Sequence, residues 1–156
     1  MVKRTRPFAG GKRREITGAP KVFFIDNGIR NQLLNQLNSQ LELRPDMGQL
    51  LENWVFTEIF KALPLRSSLE FWRSKAGAEV DFIVEHAAEL HAFEVQSASM
   101  TQPRLTRSAW SFLEAYKPKS FTVVNMALEA ELQVEGIKVR FITSYELPSR
   151  LSAIFD

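Results

Sequence analysis

The sequence predicts one α/β domain in which helices cover both faces of a mixed sheet. Helical and strand periodicities follow one another in the order helix, three strands, helix, strand, which is typical of such a layered arrangement. The chain has 156 residues, of which 45% are hydrophobic and 24% are charged. These values are close to globular averages, and a chain of this length can bury a core without covalent cross-links.

The composition excludes several classes of protein. The chain has no cysteine, so it carries no disulfide framework, no thiolate zinc site and no cysteine nucleophile. The absence of cysteine also fits a reducing compartment. The basic N-terminus is not followed by the apolar stretch of a signal peptide, and no run approaches about eighteen apolar residues. We therefore expect a cytoplasmic protein without a membrane partner.

Charge is distributed unevenly along the chain. Residues 1–21 hold seven Lys or Arg and one acidic residue, whereas the remainder holds 13 basic and 17 acidic residues. The segment 1–20 is rich in Gly, Pro and basic residues and has no apolar period, which predicts an arm or linker before a domain at 21–156. A basic arm could contact nucleic acid, or it could be a solvated remnant of an upstream segment. The mildly acidic body argues against a broad phosphate-binding surface.

The helix predicted at 47–63 is the most informative element. At 100° per residue its apolar arc contains Leu51, Val55, Phe56, Ile59, Ala62 and Leu63. Asn53 and Thr57 lie on the opposite side, whereas Glu52 falls inside the arc. A carboxylate on a buried face is costly unless it is paired, protonated or bound to a cation. An ion pair between Glu52 and a basic residue, or a Glu52 side chain that reaches solvent, would also explain its position on this arc.

Shorter patterns place the remaining elements. The predicted strands cover 21–25, 69–73, 79–85, 91–96, 121–125 and 139–143, and the other predicted helices cover 28–38 and 101–117. Thr101 followed by Pro103 is taken as the start of the last helix, because Thr caps helices and Pro suits the first turn. Strict alternation would place Val80, Phe82 and Val84 on one face of their strand.

Two acidic residues on neighbouring strands suggest a metal site. Asp81 and Glu94 lie on consecutive strands, and Gln96 shares a face with Glu94 because side chains alternate along a strand. Carboxylate oxygens are the ligands that Mg²⁺ prefers, and the ion would activate water against a phosphodiester. Glu52 could supply a further ligand or hold a metal-bound water. The alternative is a pair of acids on a solvated sheet face.

Five motifs in a fixed order resemble those of a known family. They lie at 20–28 (PKVFFIDNG), 48–56 (GQLLENWVF), 71–73 (FWR), 77–82 (GAEVDF) and 93–96 (FEVQ). Together with their surroundings, about residues 18–145, they resemble the C-terminal domain of unknown function found on many bacterial and archaeal AAA+-type ATPases. That family is assigned to the PD-(D/E)XK nuclease-like fold. The resemblance implies a restriction-endonuclease-like α-β-β-β-α-β core with a mixed central sheet flanked by helices.

The resemblance also implies roles for individual residues. Glu52 matches the acid of the first core helix, Asp81 the acid of the second core strand and Glu94 the acid of the third strand. Gln96 stands where the family of nucleases usually has lysine. A lysine would orient the attacking water and offset charge on the phosphate. Glutamine brings no positive charge, although some nucleases of this fold carry it.

Four basic residues near these positions are candidates for nucleic-acid contact. They are Arg73, Lys75, Arg104 and Arg107, for which simple solvent exposure is the alternative. The stretch 10–12 (GGK) lacks the spacing and the Ser or Thr of a Walker A motif, so we expect no ATPase activity from this chain alone. In family members a nucleotide-binding domain and a winged helix precede this region, and segment 1–20 would then be the tail of that winged helix.

These observations leave three hypotheses for the function. The favoured one is a nuclease-like module that is non-catalytic or weakly active and docks nucleic acid or protein for an ATPase. The second is a Mg²⁺-dependent DNA phosphodiesterase, with Mn²⁺ as a substitute ion, in which Asp81 and Glu94 bind metal, Glu52 supports them and Gln96 positions water. The third is a plain fragment of a larger ATPase. The oligomeric state is left open.

Overall fold

The computed structural model describes residues 1–10, 18–37 and 40–156. The elements are β1 Val2–Thr5, β2 Lys21–Phe24, α1 Asn27–Leu33, a 3-10 turn Leu41–Leu43, α2 Met47–Ala62, β3 Ser68–Arg73, β4 Glu79–His86, β5 Glu89–Val95, α3 Arg107–Tyr116, β6 Ser120–Asn125, β7 Ala130–Val134, β8 Ile137–Thr143 and α4 Leu147–Phe155. A mixed α/β architecture is therefore confirmed. Within the described ranges, no helix has both the length and the apolar character needed to cross a membrane.

The main sheet has six strands in the order β3-β4-β5-β6-β8-β7. Strands β3, β4 and β5 form an antiparallel meander, β5, β6 and β8 run parallel, and β7 pairs antiparallel with β8 at the edge. The parallel step from β5 to β6 needs a crossover, and α3 lies in that connection. The predicted order of a helix, three strands in a meander, a helix and a further strand is therefore confirmed.

Two apolar cores lie on opposite faces of this sheet. The first core joins α2 and α4 to the sheet through side chains such as Val55, Phe56 and Leu151. The second core packs α3 against the other face, with Phe112 and Val139 among its members. Each fully buried side chain of this size contributes about 1.5–3 kcal/mol, so both faces of the sheet are fixed by packing. These two cores set the positions of α2 and α3 beside the predicted acidic residues.

Strand β4 contains a bulge beside Asp81. Glu70 pairs with Ile83 and Trp72 pairs with Val80, so β4 has one residue more than β3 between the two pairs. As a result Val80 joins the core under α3, whereas Phe82 joins the core under α2. The prediction that Val80 and Phe82 share a face is wrong, because a bulge interrupts strand alternation.

The N-terminal segment carries more structure than the arm predicted at 1–20. Val2–Thr5 pairs antiparallel with Lys21–Phe24, and Phe8 is buried against the α3 side of the molecule. The amide of Phe8 donates to the carbonyl oxygen of Phe71 at 2.6 Å. These residues therefore form a paired strand where the sequence predicts an arm or linker, because strand pairing satisfies their backbone hydrogen bonds. Residues 11–17 lie outside the described residues, and the boundary at residue 21 stays a prediction.

Helix boundaries are confirmed for α2 and differ elsewhere. Helix α1 ends at Leu33 rather than residue 38, and Asn35 has a positive φ of 55°, which stops a helix. Residues 38–39 lie outside the described part. Helix α3 begins at Arg107 instead of residue 101, because the Thr106 hydroxyl accepts from the amide of Ala109 and caps it. Strand β7 and helix α4 were not predicted.

Candidate functional site

The predicted acidic positions lie where α2, β2, β4 and β5 meet. Glu52 is on α2, Asp81 is beside the bulge of β4, and Glu94 is near the end of β5. Strand β2 is fastened to α2 by Asn53, whose side chain accepts from the amide of Phe24 at 2.8 Å and donates to its carbonyl oxygen at 2.9 Å. This attachment brings the beginning of β2 to the acidic residues.

Lys21, the first residue of β2, supplies a positive charge between three carboxylates. Its Nζ lies 2.9 Å from Glu52 Oε1 and 3.8 Å from Asp81 Oδ1, and it forms an ion pair with Glu79. We call these four residues the Lys21 cluster. Burial lowers the pKa of Lys21, but Glu52, Glu79 and Asp81 outweigh it and raise the pKa above the usual value. The ammonium therefore stays charged and neutralises part of the cluster.

Asp81 is the most perturbed acid of this site. Its Oδ2 accepts a hydrogen bond from the amide of Val95 at 2.8 Å, so the side chain reaches across from β4 to β5. Burial, followed by the charge of Glu52, raises the pKa of Asp81 to about 7. The Val95 amide and Lys21 oppose this change, and Glu94 adds to it. Asp81 therefore lies within electrostatic reach of both other predicted acids.

Glu94 has hydrogen-bond partners on both of its carboxylate oxygens. The Gln96 side-chain amide donates to Oε1 at 2.9 Å, and the Thr106 hydroxyl donates to Oε2 at 2.9 Å. Burial raises the pKa of Glu94, while these two donors work against the rise. The same Thr106 caps α3, so the start of this helix and the end of β5 are held together.

The arrangement suits an ammonium better than a divalent cation. Within residues 1–10, 18–37 and 40–156, no group of three His, Cys, Asp or Glu side chains is placed to hold a metal ion. Mg²⁺ requires near-octahedral oxygen ligands at about 2.0–2.1 Å. Here Glu52 and Asp81 share the ammonium of Lys21, and Glu94 is engaged by Gln96 and Thr106. The residues as arranged do not fit the magnesium ion expected from the acidic residues of the sequence.

The four candidate nucleic-acid residues divide into two groups. Arg73 is engaged, because its Nη2 lies 2.5 Å from Glu79 Oε2 and its Nε donates to the same oxygen at 2.7 Å. Lys75, Arg104 and Arg107 are exposed, and none of them forms an ion pair with a residue of the described chain. Arg104 lines a shallow depression together with Gln96 and Thr106. The roles of all four residues stay predictions.

Sequence reasoning missed three residues of this site. Lys21 belongs by sequence to the basic stretch 1–21, although it begins the apolar strand that ends at Phe24. Glu79 stands two residues before Asp81, and strand alternation predicts both acids on one face, but the sequence gives no sign that Glu79 belongs to the site. Thr106 was missed because the helix start was set at Thr101. The sequence gives the weakest indication for Lys21, because no neighbouring residue in the sequence shows that its strand packs on α2.

Fold and site together define a mixed α/β domain with a half-buried acidic cluster at the junction of a helix and two strands. The family model described as "Domain of unknown function (DUF4143)" matches residues 47–145, so the chain belongs to this family. The matched region contains Glu52, Asp81, Glu94 and Gln96 but not Lys21.

Two curated relatives come from mycobacteria. The chain is similar to "Uncharacterized protein Mb2031c" of Mycobacterium bovis and to "Uncharacterized protein Rv2008c" of Mycobacterium tuberculosis, each with 28% identity over 114 residues. Each alignment covers 72% of this chain and 25% of the relative. The chain therefore spans about a quarter of the length of the curated relatives it matches.

Proposed function

We propose that this chain is a nuclease-like docking module that binds DNA in the cytoplasm without efficient cleavage. It belongs to the restriction-endonuclease-like fold and works beside an AAA+-type ATPase domain. The observation that carries this proposal is the ammonium of Lys21 among Glu52, Glu79 and Asp81. Support for the fold comes from the succession of α2, β3, β4, β5, α3 and β6, which matches an α-β-β-β-α-β core.

The local charges argue for docking rather than catalysis. Metal-dependent cleavage needs a divalent cation on free oxygen ligands and a positive charge near the attacking water. The Lys21 ammonium already contacts two of the three predicted ligands, Glu52 and Asp81. The Gln96 amide donates to Glu94, so it is committed within the protein and brings no charge. An ATPase partner is supported by the family resemblance, and the matched relatives, of which the alignment covers 25%, are long enough to hold further domains.

DNA docking is expected to depend on Arg104 and Arg107. We expect Arg104→Ala combined with Arg107→Ala to weaken binding of a short DNA duplex at least tenfold, measured by fluorescence anisotropy. The slope of log affinity against log salt should fall by about 2, because each lost phosphate contact removes about 0.9 from it. Lys61→Ala is the matched control, since Lys61 is an exposed lysine on α2. Absence of duplex binding by the wild-type protein would refute DNA as the docked partner and leave protein docking.

One observation favours a Mg²⁺-dependent DNA phosphodiesterase as the second candidate. Glu52 and Glu94 both raise the pKa of Asp81, so the charges of the three acids interact. A plasmid-nicking assay with Mn²⁺ separates the two functions. We expect no nicking by the wild type and none above background by Gln96→Lys, because Lys21 still holds the acids. Nicking by the wild type that disappears in Asp81→Ala would establish the phosphodiesterase and overturn the docking proposal.

A further inference from the structure

Helix α1 turns the side that carries its leucines toward an open depression instead of toward a core. At 100° per residue, Arg30, Leu33 and Leu34 lie on one side of this helix. Arg30 is only 6% exposed, whereas Leu33 is 65% exposed and Leu34, at the C-cap, is 49% exposed. A helix of a globular protein normally packs its apolar residues against other elements. In α1 the charged residue of this side is covered and the two leucines are not.

A network of ion pairs holds α1 in this orientation. The Nη1 atom of Arg30 lies 2.8 Å from Oδ2 of Asp46, and Arg44 contacts the same carboxylate through Nε at 2.9 Å. Hydrogen bonds from Arg44 and then from Arg30 hold the pKa of Asp46 well below its usual value, against the effect of burial. Removing one partner of such a network leaves a charge unpaired in the protein. A rotation of α1 that buried its leucines would therefore break this network.

The depression lies between α1, β2 and the beginning of α2, and its volume is about 440 Å³. Val22, Leu33 and Leu34 are among its lining residues, and Val22 is 54% exposed. Lys21 and Glu52 also line it, and their side chains are paired with each other at 2.9 Å. The depression therefore has an apolar wall, and the charges that border it balance each other.

Three more leucines beside α1 are exposed. Leu37 is 57%, Leu41 is 52% and Leu43 is 76% exposed. The segment that carries Leu41 and Leu43 is fixed to the end of α1, because Nη1 of Arg44 donates to the carbonyl oxygen of Gln36 at 3.0 Å. We call the six exposed aliphatic residues of this region the α1 surface: Val22, Leu33, Leu34, Leu37, Leu41 and Leu43. Apolar patches of more than a few hundred Å² on a protein surface mark sites of protein interaction.

The charge of the α1 surface limits the kind of partner that it fits. From Asn27 to Leu37 the only charged residue is Arg30, which is engaged with Asp46. DNA and anionic membranes require exposed Lys or Arg, and a charged peptide requires a counter-charge. In a two-fold contact a surface meets its own copy, so a charged surface repels itself and an uncharged one does not. The α1 surface meets this condition for self-association.

We propose that two copies of this chain associate through the α1 surface, with exposed leucines of each copy packed against the depression of the other. Each copy offers both parts of such a contact, which a two-fold arrangement requires. A standard interface buries about 800 Å² per partner around an apolar centre, and six aliphatic side chains supply such a centre. The contact would also cover the side of Glu52 that faces the depression. The inference goes beyond the docking proposal, because it uses neither Arg104 nor Arg107.

Sedimentation equilibrium of the full chain at concentrations up to about 100 μM tests the proposal. We expect the average mass to rise with concentration toward twice the monomer mass. Leu33→Gln and Leu37→Gln should each raise the dissociation constant about tenfold or more, because each puts a polar group into the contact. Leu65→Gln is the matched control, since Leu65 is 91% exposed and lies beyond the other end of α2. This control should associate like the wild type.

The two test variants should fold, because Leu33 and Leu37 are mostly exposed, and their unfolding midpoints verify this. A wild-type protein that stays monomeric at about 100 μM overturns the proposal and assigns the α1 surface to a different protein. A dimer whose dissociation constant neither variant changes also overturns it, because the contact then lies elsewhere on the molecule. Both results leave the DNA-docking proposal standing, since duplex binding is measured separately on Arg104 and Arg107.

Discussion

Replacing Asn53 by Ala is expected to lower the free energy of unfolding by about 3 kcal/mol, because it leaves several buried polar groups unpaired. Asn53 is 4% exposed. Its side chain accepts from the amide of Phe24, donates to the carbonyl oxygen of Phe24 and donates to Asn27 Oδ1 at 2.8 Å. Alanine removes all three bonds, and the backbone of β2 loses its link to α2.

Urea unfolding followed by tryptophan fluorescence measures this effect, with Gln49→Ala as the control on the same helix. Gln49 is exposed, so its replacement should change stability by less than about 0.5 kcal/mol. Asn53→Ala should also disturb the Lys21 cluster, since Lys21 is three residues before Phe24 on the same strand. An Asn53→Ala protein as stable as the control would show that β2 is held by its apolar side chains alone.

Asn53 also shows where prediction from the sequence stops. The helical period correctly placed Leu51, Val55 and Ile59 in the core, because burial follows the 3.6-residue repeat. The same wheel put Asn53 on the outer side, yet the residue is buried. The strand that covers it comes from a distant part of the chain and docks on the helix instead of joining the main sheet. Local periodicity carries no information on such a contact.

The sequence patterns single out the acidic residues of the site, but they do not indicate the lysine that pairs with them. Glu52, Asp81 and Glu94 were identified from an acid on an apolar arc and acids within β-prone runs. The positions of these acids relative to one another depend on the bulge in β4, and no residue type in that strand indicates a bulge. The partner of the acids, Lys21, depends on tertiary docking of β2. Local sequence patterns therefore identify the acidic residues but not the positive charge that lies between them.

Exchange of Lys21 for Met is the second change with a large expected effect. Methionine keeps most of the apolar stem and removes the ammonium that Glu52, Glu79 and Asp81 share. We expect the free energy of unfolding at pH 8 to fall by about 1–2 kcal/mol. This loss is smaller than the loss expected when a fully buried ion pair is broken, because the Lys21 side chain is 21% exposed and solvent screens its charge.

The loss in Lys21→Met should depend on pH in a defined direction. In the wild type the pKa of Asp81 is already raised to about 7 from 3.8. Loss of the ammonium raises it further, so the folded variant binds more protons than its unfolded chain between about pH 4 and pH 8. Stability then falls as pH rises through this range. The difference from wild type should therefore be smaller at pH 5, where the pairs of Lys21 with Glu52 and Glu79 account for it, and larger at pH 8.

Chemical denaturation at pH 5 and pH 8 checks this dependence, with Lys75→Met as the control for removal of an exposed lysine. Lys75 belongs to no ion pair among the described residues, so its replacement should be nearly neutral at both pH values. Equal losses for Lys21→Met at the two pH values would mean that the ammonium does not act through the charge of Asp81. A pH-dependent loss would instead tie the charge of Lys21 to the carboxylates around it, because only an electrostatic contribution changes as Asp81 titrates.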